Sequence, residues 1–443
     1  MKDMTSGKIT LPLVTFTIPL VLGNLFQMTY NAVDSVMVGR YVGEGALAAV
    51  GTAAPLMNIA LLFISGLCMG ASVLMSSQYG AEDYDLLSRQ ISTTFLSGSI
   101  FALFFSVITI LLARPLLWLI RVPEEVMGET ALYLRIIFMG ILFTFIYNFL
   151  ANTLRALGDS RTPLYFLIIS SLLNIFGDWL LVAVLELGVM GSAISTVASE
   201  MLCCLFCGLY IKWKIPLLNL GKRWFVFDKS LLLRTVSYGS TSAMQQACLQ
   251  VGKTIIQALV NTQGVSVMAA FTAVNRVDDF AYIPQQNIGH AMTTFIAQNK
   301  GAGKKERIRK GFANGMMIEI IYSVVLCAII FLGAPGIMQL FTGNEDAQVV
   351  ALGIIYLRRI SFMYLLPAFT NGIQGFFRGI GDLKVTLQST FMNMLGRVAA
   401  VPVMLWVFSI GFAGLAWANF VGWIVMLAFE VPLLVRELKK MRN

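Results

Sequence analysis

Charge is what this sequence has least of. Asp, Glu, Lys and Arg make up 12% of its 443 residues, roughly half the ~25% of an ordinary soluble domain. So little charge cannot solvate the surface of a water-soluble fold of this length. Histidine occurs once, as His290, which excludes a multi-histidine metal centre; an intramembrane enzyme is disfavoured because no His/Glu, Ser/His or metal-ligand constellation stands out in the sequence. The six cysteines all fall in apolar segments, where disulfides are not expected. Cys204-x-x-Cys207 has a redox or metal spacing, but without a second pair or a nearby histidine it reads as small apolar residues on a helix. Met1 to Thr10 is polar, carries Lys2 and Lys8, and lacks the apolar core and cleavage site of a signal peptide. The first apolar stretch is therefore expected to remain as a span. No enzyme activity and no cofactor are expected.

What the chain has in abundance is apolar length. Apolar residues reach 57% and the mean hydropathy is +0.77. A membrane helix needs about 20 such residues. Breaks at Gly, Pro and charge predict twelve spans, at 11–38, 46–77, 91–113, 130–153, 163–185, 189–211, 231–260, 267–297, 312–333, 350–374, 384–408 and 412–435. The fold class is an all-α polytopic membrane protein. The loops on one side contain only Arg40, Arg114 and Arg121 as basic residues, whereas both termini and the opposite loops are rich in Lys and Arg. The positive-inside rule places both termini in the cytoplasm of a multi-pass cell-membrane protein. The acidic clusters Glu124-Glu125-Glu129 and Glu345-Asp346 then fall outside, which that rule does not require. The net charge of +9 is thereby membrane topology, and a nucleic-acid partner, which needs a basic folded surface, is not expected. The polar connection 212–230 holds Trp224, Phe225 and Phe227 beside Lys222 and Arg223; it reads equally as a headgroup-lying segment and as a solvated linker.

Self-comparison at a shift of 223 residues aligns Tyr133-Leu134-Arg135 with Tyr356-Leu357-Arg358. The same shift aligns Arg155-x-x-Gly158-Asp159 with Arg378-x-x-Gly381-Asp382, and Gly188-x-x-Gly191-x-Ala193 with Gly411-x-x-Gly414-x-Ala416. Two six-helix lobes are expected, 1–211 and 231–443, joined by the linker 212–230. An even number of spans per lobe predicts parallel repeats about an axis along the membrane normal, an architecture of secondary transporters. The halves differ in their charges. Asp34 aligns with Gln257, Asn174 with Arg397, Asp178 with Val401 and Thr196 with Asn419. The second half carries instead a polar network of Lys253, Arg276, Asp278 and Arg397, with Asp279 adjacent. Charges inside spans are costly and point to function.

Three of the first half's polar residues share one depth. At about 1.5 Å per helical residue, Asp34, Asp178 and Thr196 lie roughly 6–12 Å below the outer boundary. Asn174 is one turn from Asp178 and on its face. Two carboxylates, an amide oxygen and a hydroxyl can ligate Na⁺, and the carboxylates can carry H⁺. Asp34 has an alternative partner in Arg40, and Glu200 stands one turn beyond Thr196. Gln27 and Asn31 continue the Asp34 stripe, and Asn148 and Asn152 form a second polar stripe that suits a cavity wall or an interhelical contact.

The order Pro19, Gln27, Asp34 before Met37-Val38-Gly39, then Ser77-Gln78-Tyr79-Gly80-Ala81, Leu154-Arg155-Ala156-Leu157-Gly158-Asp159 and Asn174-x-x-x-Asp178, resembles the multidrug and toxic compound extrusion (MATE) transporters. Gln298-Asn299-Lys300-Gly301-Ala302-Gly303 and Phe377-Arg378-Gly379-Ile380-Gly381-Asp382 extend the resemblance over the second half. The resemblance implies export of amphipathic, cationic small molecules by a monomer, in exchange for Na⁺ or H⁺. It maps the coupling site onto Asp34, Asn174, Asp178 and Thr196, a cavity-lining glutamine onto Gln27 and a helix bend onto Pro19; Asn31, Asn148 and Asn152 are the further residues expected at the substrate cavity. Met244-Gln245-Gln246 and Pro367-Ala368-Phe369-Thr370-Asn371 lack the carboxylates that some members place in the seventh and tenth helices, which shifts coupling to the first half. A flippase for a lipid-linked saccharide or phosphate, its headgroup held by Lys253, Arg276 and Arg397, is the alternative.

Overall fold

A computed structural model describes residues 3–218, 221–342, 347–408 and 411–442. Glu345 and Asp346 lie outside the described residues, as does the side chain of Lys222. The described residues contain no strand. Their fourteen α-helices are α1 (Thr10–Tyr41), α2 (Glu44–Gly80), α3 (Tyr84–Leu119), α4 (Glu124–Met139), α5 (Ile141–Ala156), α6 (Arg161–Asp178) and α7 (Gly188–Lys214) in the first half. The second half has α8 (Lys229–Asn261), α9 (Val265–Gly301), α10 (Lys305–Thr342), α11 (Ala347–Met363), α12 (Leu365–Gly379), α13 (Leu383–Pro402) and α14 (Gly414–Arg442).

Eight helices are long and apolar enough to span a membrane alone, and two further spans are bent pairs, α4–α5 at 45° and α11–α12 at 48°. The helices α8 and α9, of 33 and 37 residues, are long enough to cross (a span takes about 20 residues) but carry more polar side chains. The result is twelve transmembrane helices, six per half.

The bends fall at equivalent places in the repeat, around Gly140 and Tyr364. Each half also relaxes into a π-helical segment at equivalent positions, Trp179–Val184 and Val403–Val407. Gly158 and Gly381 have φ of 83° and 80°, a left-handed conformation that only glycine adopts without strain. Each reverses the chain after a helix, so the repeated Arg-x-x-Gly-Asp is a turn signature. Asp159 then caps α6 by accepting from Arg161 N and Thr162 N at 3.0 and 3.1 Å.

The chain forms two compact units: Met1–Asp3 with Ile18–Ala243, and Met4–Thr17 with Met244–Asn443. The division falls inside α1, just before Pro19, and inside α8. In the first unit, α2 meets the start of α8 through small residues. A Cβ on Gly70 would stand 2.4 Å from the Gly239 backbone nitrogen, and one on Gly66 2.7 Å from Ala243 Cβ. The connection 212–230 is tied to α3 at several of its described residues rather than free. Trp224 packs edge-on against Phe95 at 5.2 Å, Ser92 Oγ donates to Val226 O at 2.6 Å, and Arg89 pairs with Asp228. Asp228 lies outside the spans, and its hydrogen bonds from Ser230, with Arg89 beside it, hold its carboxyl below the usual range.

In the second unit, residues 4–7 dock on the α9–α10 turn. Met4 N donates to Gln298 Oε1 at 3.2 Å, and Arg307 donates to the carbonyls of Met4, Ser6 and Gly7 at 2.8–3.1 Å. Hydrogen bonds to a charged donor contribute about 1.5–3 kcal/mol each. Arg307→Ala should therefore raise amide exchange of residues 4–7 by at least about tenfold, which corresponds to ~1.4 kcal/mol. Hydrogen–deuterium exchange mass spectrometry reads this, and unchanged protection would show that Arg307 does not hold the segment.

Candidate functional site

The helices α6 and α7 approach closely because α6 has a glycine at the crossing. A Cβ on Gly177 would sit 2.5 Å from Ser195 Oγ. The face of α7 presented there is a hydroxyl stripe, Ser192, Ser195, Thr196 and Ser199, spaced at i, i+3, i+4 and i+7. Asn174 Nδ2 donates to Ser195 Oγ at 3.2 Å and to Thr196 Oγ1 at 3.3 Å. The two hydroxyls are spent on backbone carbonyls: Ser195 on Asn174 O at 2.8 Å and Thr196 on Ser192 O at 3.1 Å. Three buried acceptors are consequently left without a donor, Asn174 Oδ1 and both Asp178 carboxylate oxygens. Such orphans are expensive in a low-dielectric interior.

Asp34 comes to this spot from α1. Its Oδ1 accepts from Ser192 Oγ at 3.1 Å, so the alternative partner Arg40 is not taken. The carboxyl groups of Asp34 and Asp178 stand close enough to act on each other electrostatically. Two anionic carboxylates this close repel, and a shared proton or a bound cation removes the repulsion. The donor-free oxygens suit Na⁺ equally, since alkali cations take oxygen ligands. Among the described residues no group of three or more His, Cys, Asp or Glu converges as a metal site.

All four residues expected at the coupling site are thus brought together. Sequence reasoning missed Ser192 and Ser195, although the 3-4-7 spacing of hydroxyls on α7 was available as a signal. It also missed Tyr30 and Tyr133, which lie within electrostatic range of both carboxylates. Glu200 accepts from Thr144 Oγ1 at 2.5 Å and makes no hydrogen bond to the cluster. Gln27 and Asn31 are exposed on α1. Asn148 and Asn152, both partly buried, donate to carbonyls one turn back on their own helix, at 2.8 Å each. Pro19 is buried within α1.

The expected network of the second half separates into two. Lys253 pairs with Asp279 at 3.2 Å on an exposed face, where Arg276 is exposed as well. Asp278 is buried and accepts from Tyr356 Oη at 3.0 Å and from Tyr364 Oη, with Arg397 in electrostatic range. Asn419 Nδ2 donates to Tyr356 Oη at 2.9 Å. Tyr356 and Asn419 are the repeat mates of Tyr133 and Thr196. Each half therefore buries carboxyl chemistry beside the same two repeat positions but supplies it from different helices: α1 and α6 in the first, α9 in the second.

The MatE family profile matches residues 19–180 and 242–406. The chain belongs to the MatE family. It is a multi-pass membrane transporter rather than an enzyme, and the matched segments fall one in each half of the repeat. Among curated relatives, the probable multidrug resistance protein YpnP of Bacillus subtilis is 30% identical, over 89% of this chain and 87% of its own. The probable multidrug resistance protein NorM of Thermotoga maritima is 23% identical, over 93% of this chain and 89% of its own. Among solved structures, a MATE transporter in complex with MaL6 superposes with a TM-score of 0.92 at 22% identity, covering 99% of this chain and 98% of that one. A MOP superfamily transporter of Pyrococcus furiosus gives 0.91 at 22%, covering 100% and 98%. These MatE-like structures share the fold of this chain.

Proposed function

We propose that this MatE transporter exports amphipathic, cationic small molecules in exchange for Na⁺ or H⁺, with the exchanged cation bound at Asp34, Asn174, Asp178 and Thr196. The observation that carries this reading is the set of three buried, donor-free oxygens on Asn174 and Asp178 beside the Asp34 carboxyl. Relatives named as multidrug resistance and multidrug export proteins support the substrate class. Cation binding neutralises the carboxyl pair and draws α1 toward α6 and α7. Pro19, which removes a backbone hydrogen bond within α1, lets that helix bend. The exposed Gln27 and Asn31, two turns and one turn before Asp34, are then the polar contacts that substrate loses. In this reading both termini are cytoplasmic, residues 1–211 and 231–443 form the two lobes, and the monomer is the working unit. The flippase alternative is less supported, because two of its three basic residues have acidic neighbours: Lys253 pairs with Asp279, and Arg397 has Asp278 in electrostatic range.

The test is ethidium flux in proteoliposomes with the Na⁺ and pH gradients set independently. At one-to-one exchange, a tenfold gradient of the coupling ion, worth about 1.4 kcal/mol, should support up to a tenfold ethidium gradient. Ethidium accumulation that ignores both ion gradients would rule out antiport.

A further inference from the structure

The second unit buries a carboxylate that neither the Asp34 site nor the Asp278 network uses. Glu430, in the middle of α14, has no solvent exposure, and neither of its oxygens meets a donor. Gln374 and Arg378 of α12 and Ser389 of α13 surround it. The nearby amides are already engaged: Gln374 Nε2 donates to Thr390 Oγ1 at 3.0 Å, and Gln374 Oε1 accepts from Gln245 Nε2 at 3.2 Å. Arg378 Nε donates to Gln374 O at 3.3 Å, and its Nη1 lies 3.4 Å from His290 Nδ1 on α9. Among the described residues, Arg378 is the charged group that faces Glu430, with His290 behind it. The other packed elements α10, α11 and α13 bring no titratable group to it.

The internal repeat supplies a control. Arg378 has the mate Arg155 in the first half, whose buried Nε has no hydrogen-bond partner. At the shift of 223, however, Glu430 aligns with Cys207, Gln374 with Ala151 and Ser389 with Phe166. The first half therefore folds around its arginine with apolar side chains at these positions. The fold does not require the polar set of the second half, and burying a carboxylate without a donor costs stability.

We propose that Glu430, gated by Arg378, is an exchangeable proton-binding site of the second unit, separate from the Asp34–Asp178 pair. Ionised, the carboxylate is balanced by the guanidinium; loaded, it is a neutral acid and no longer offsets the charge of Arg378. The unit's charge changes by one, with the proton taken from and returned to water. Na⁺ does not suit the place, because one carboxylate beside a guanidinium offers too few oxygens and a repelling charge.

The experiment is infrared difference spectroscopy of the purified full chain with Asp34→Asn and Asp178→Asn, with and without Glu430→Gln, titrated over about pH 5–9, an interval around physiological pH. The expected result is a carboxylic-acid carbonyl component that grows as pH falls, shifts in D₂O and is the one missing after Glu430→Gln, while any bands of Glu200 and of the buried Asp278 and Glu319 remain. If Glu430→Gln does not fold, Glu430→Cys, which restores the residue of the first half, takes its place. A Glu430 band constant over the titration, no band at all, or no shift in D₂O overturns the proposal. Loss of the band on adding Na⁺ at fixed pH overturns the proton assignment. Both carboxylates of the first-half site are already neutralised in this background, so its failure and that of the proposed antiport remain distinguishable.

Discussion

Asp178→Asn should abolish ion-coupled accumulation while leaving a folded transporter. The side chain is buried, and its two oxygens have no donors. An amide of the same shape needs no cation to neutralise it, and its NH₂ can donate to the orphaned Asn174 Oδ1. Folding stability is accordingly expected to stay level or rise, so a loss of transport cannot be attributed to unfolding. What the variant loses is the charge that binds the coupling ion. Removing one partner of a buried charge pair costs about 3–5 kcal/mol, on the order of a hundredfold or more in cation affinity. Substrate binding by wild-type protein should weaken as Na⁺ or H⁺ rises, whereas in the D178N variant it should be flat. The tenfold ethidium gradient expected from a tenfold ion gradient should collapse to about one. Asp34→Asn should do the same. Gln257→Ala and Val401→Ala, at the repeat-equivalent positions, should leave the dependence in place. Measuring ethidium affinity across ion concentrations decides it. A D178N variant that still shows the competition would make Asp178 a structural acid.

The helical repeat and the four residues of the candidate site could be read from the sequence because each left a local signal. Runs of about 20 apolar residues mark spans, and Asn174 and Asp178 are one turn apart on one helix. The bends at Gly140 and Tyr364 left none, since apolar residues continue through both and hydropathy is blind to helix direction. The partners of Asp278 were illegible for another reason: Tyr356 and Tyr364 are 78 and 86 residues away, and a hydroxyl that satisfies a carboxylate looks like any aromatic in a span. Asp278 and Asp279 were read together because they are adjacent. On a helix, successive residues point about 100° apart, so Asp278 is buried with the tyrosines and Asp279 faces out to Lys253. Glu430 was visible as a charge in a span, but only the folded unit shows that no donor reaches it.

Gly70→Leu should prevent the first unit from folding. The helix α2 presents Gly66-x-x-x-Gly70 and α8 presents Gly239-x-x-x-Ala243, the small-residue spacing that lets membrane helices pack backbone to backbone. The contact is reciprocal, for a Cβ on Gly239 would stand 2.9 Å from Leu67 Cα. On Gly70 the obstacle is the peptide between Tyr238 and Gly239, at 2.4–2.8 Å, and backbone cannot rotate away as a flexible side chain does. Relieving the overlap means separating the helices by more than an ångström along the crossing and forfeiting the dispersion contacts that hold them, since lipid supplies no hydrophobic drive between spans. Overpacking in a core costs about 1–3 kcal/mol when side chains can adjust; with none to adjust here, the cost should exceed that range, a large part of a marginal stability of about 5–15 kcal/mol. Gly128→Ala is the counterpart. That glycine is exposed inside α4 with nothing within 4 Å of a Cβ, and the change should stabilise by about 0.5–1 kcal/mol through the entropy of the unfolded chain. Thermal unfolding and size-exclusion chromatography in detergent separate the two: aggregated or absent protein for Gly70→Leu, and a slightly raised midpoint for Gly128→Ala. A Gly70→Leu protein that elutes and melts like wild type would show that α2 and α8 do not pack backbone to backbone at Gly70.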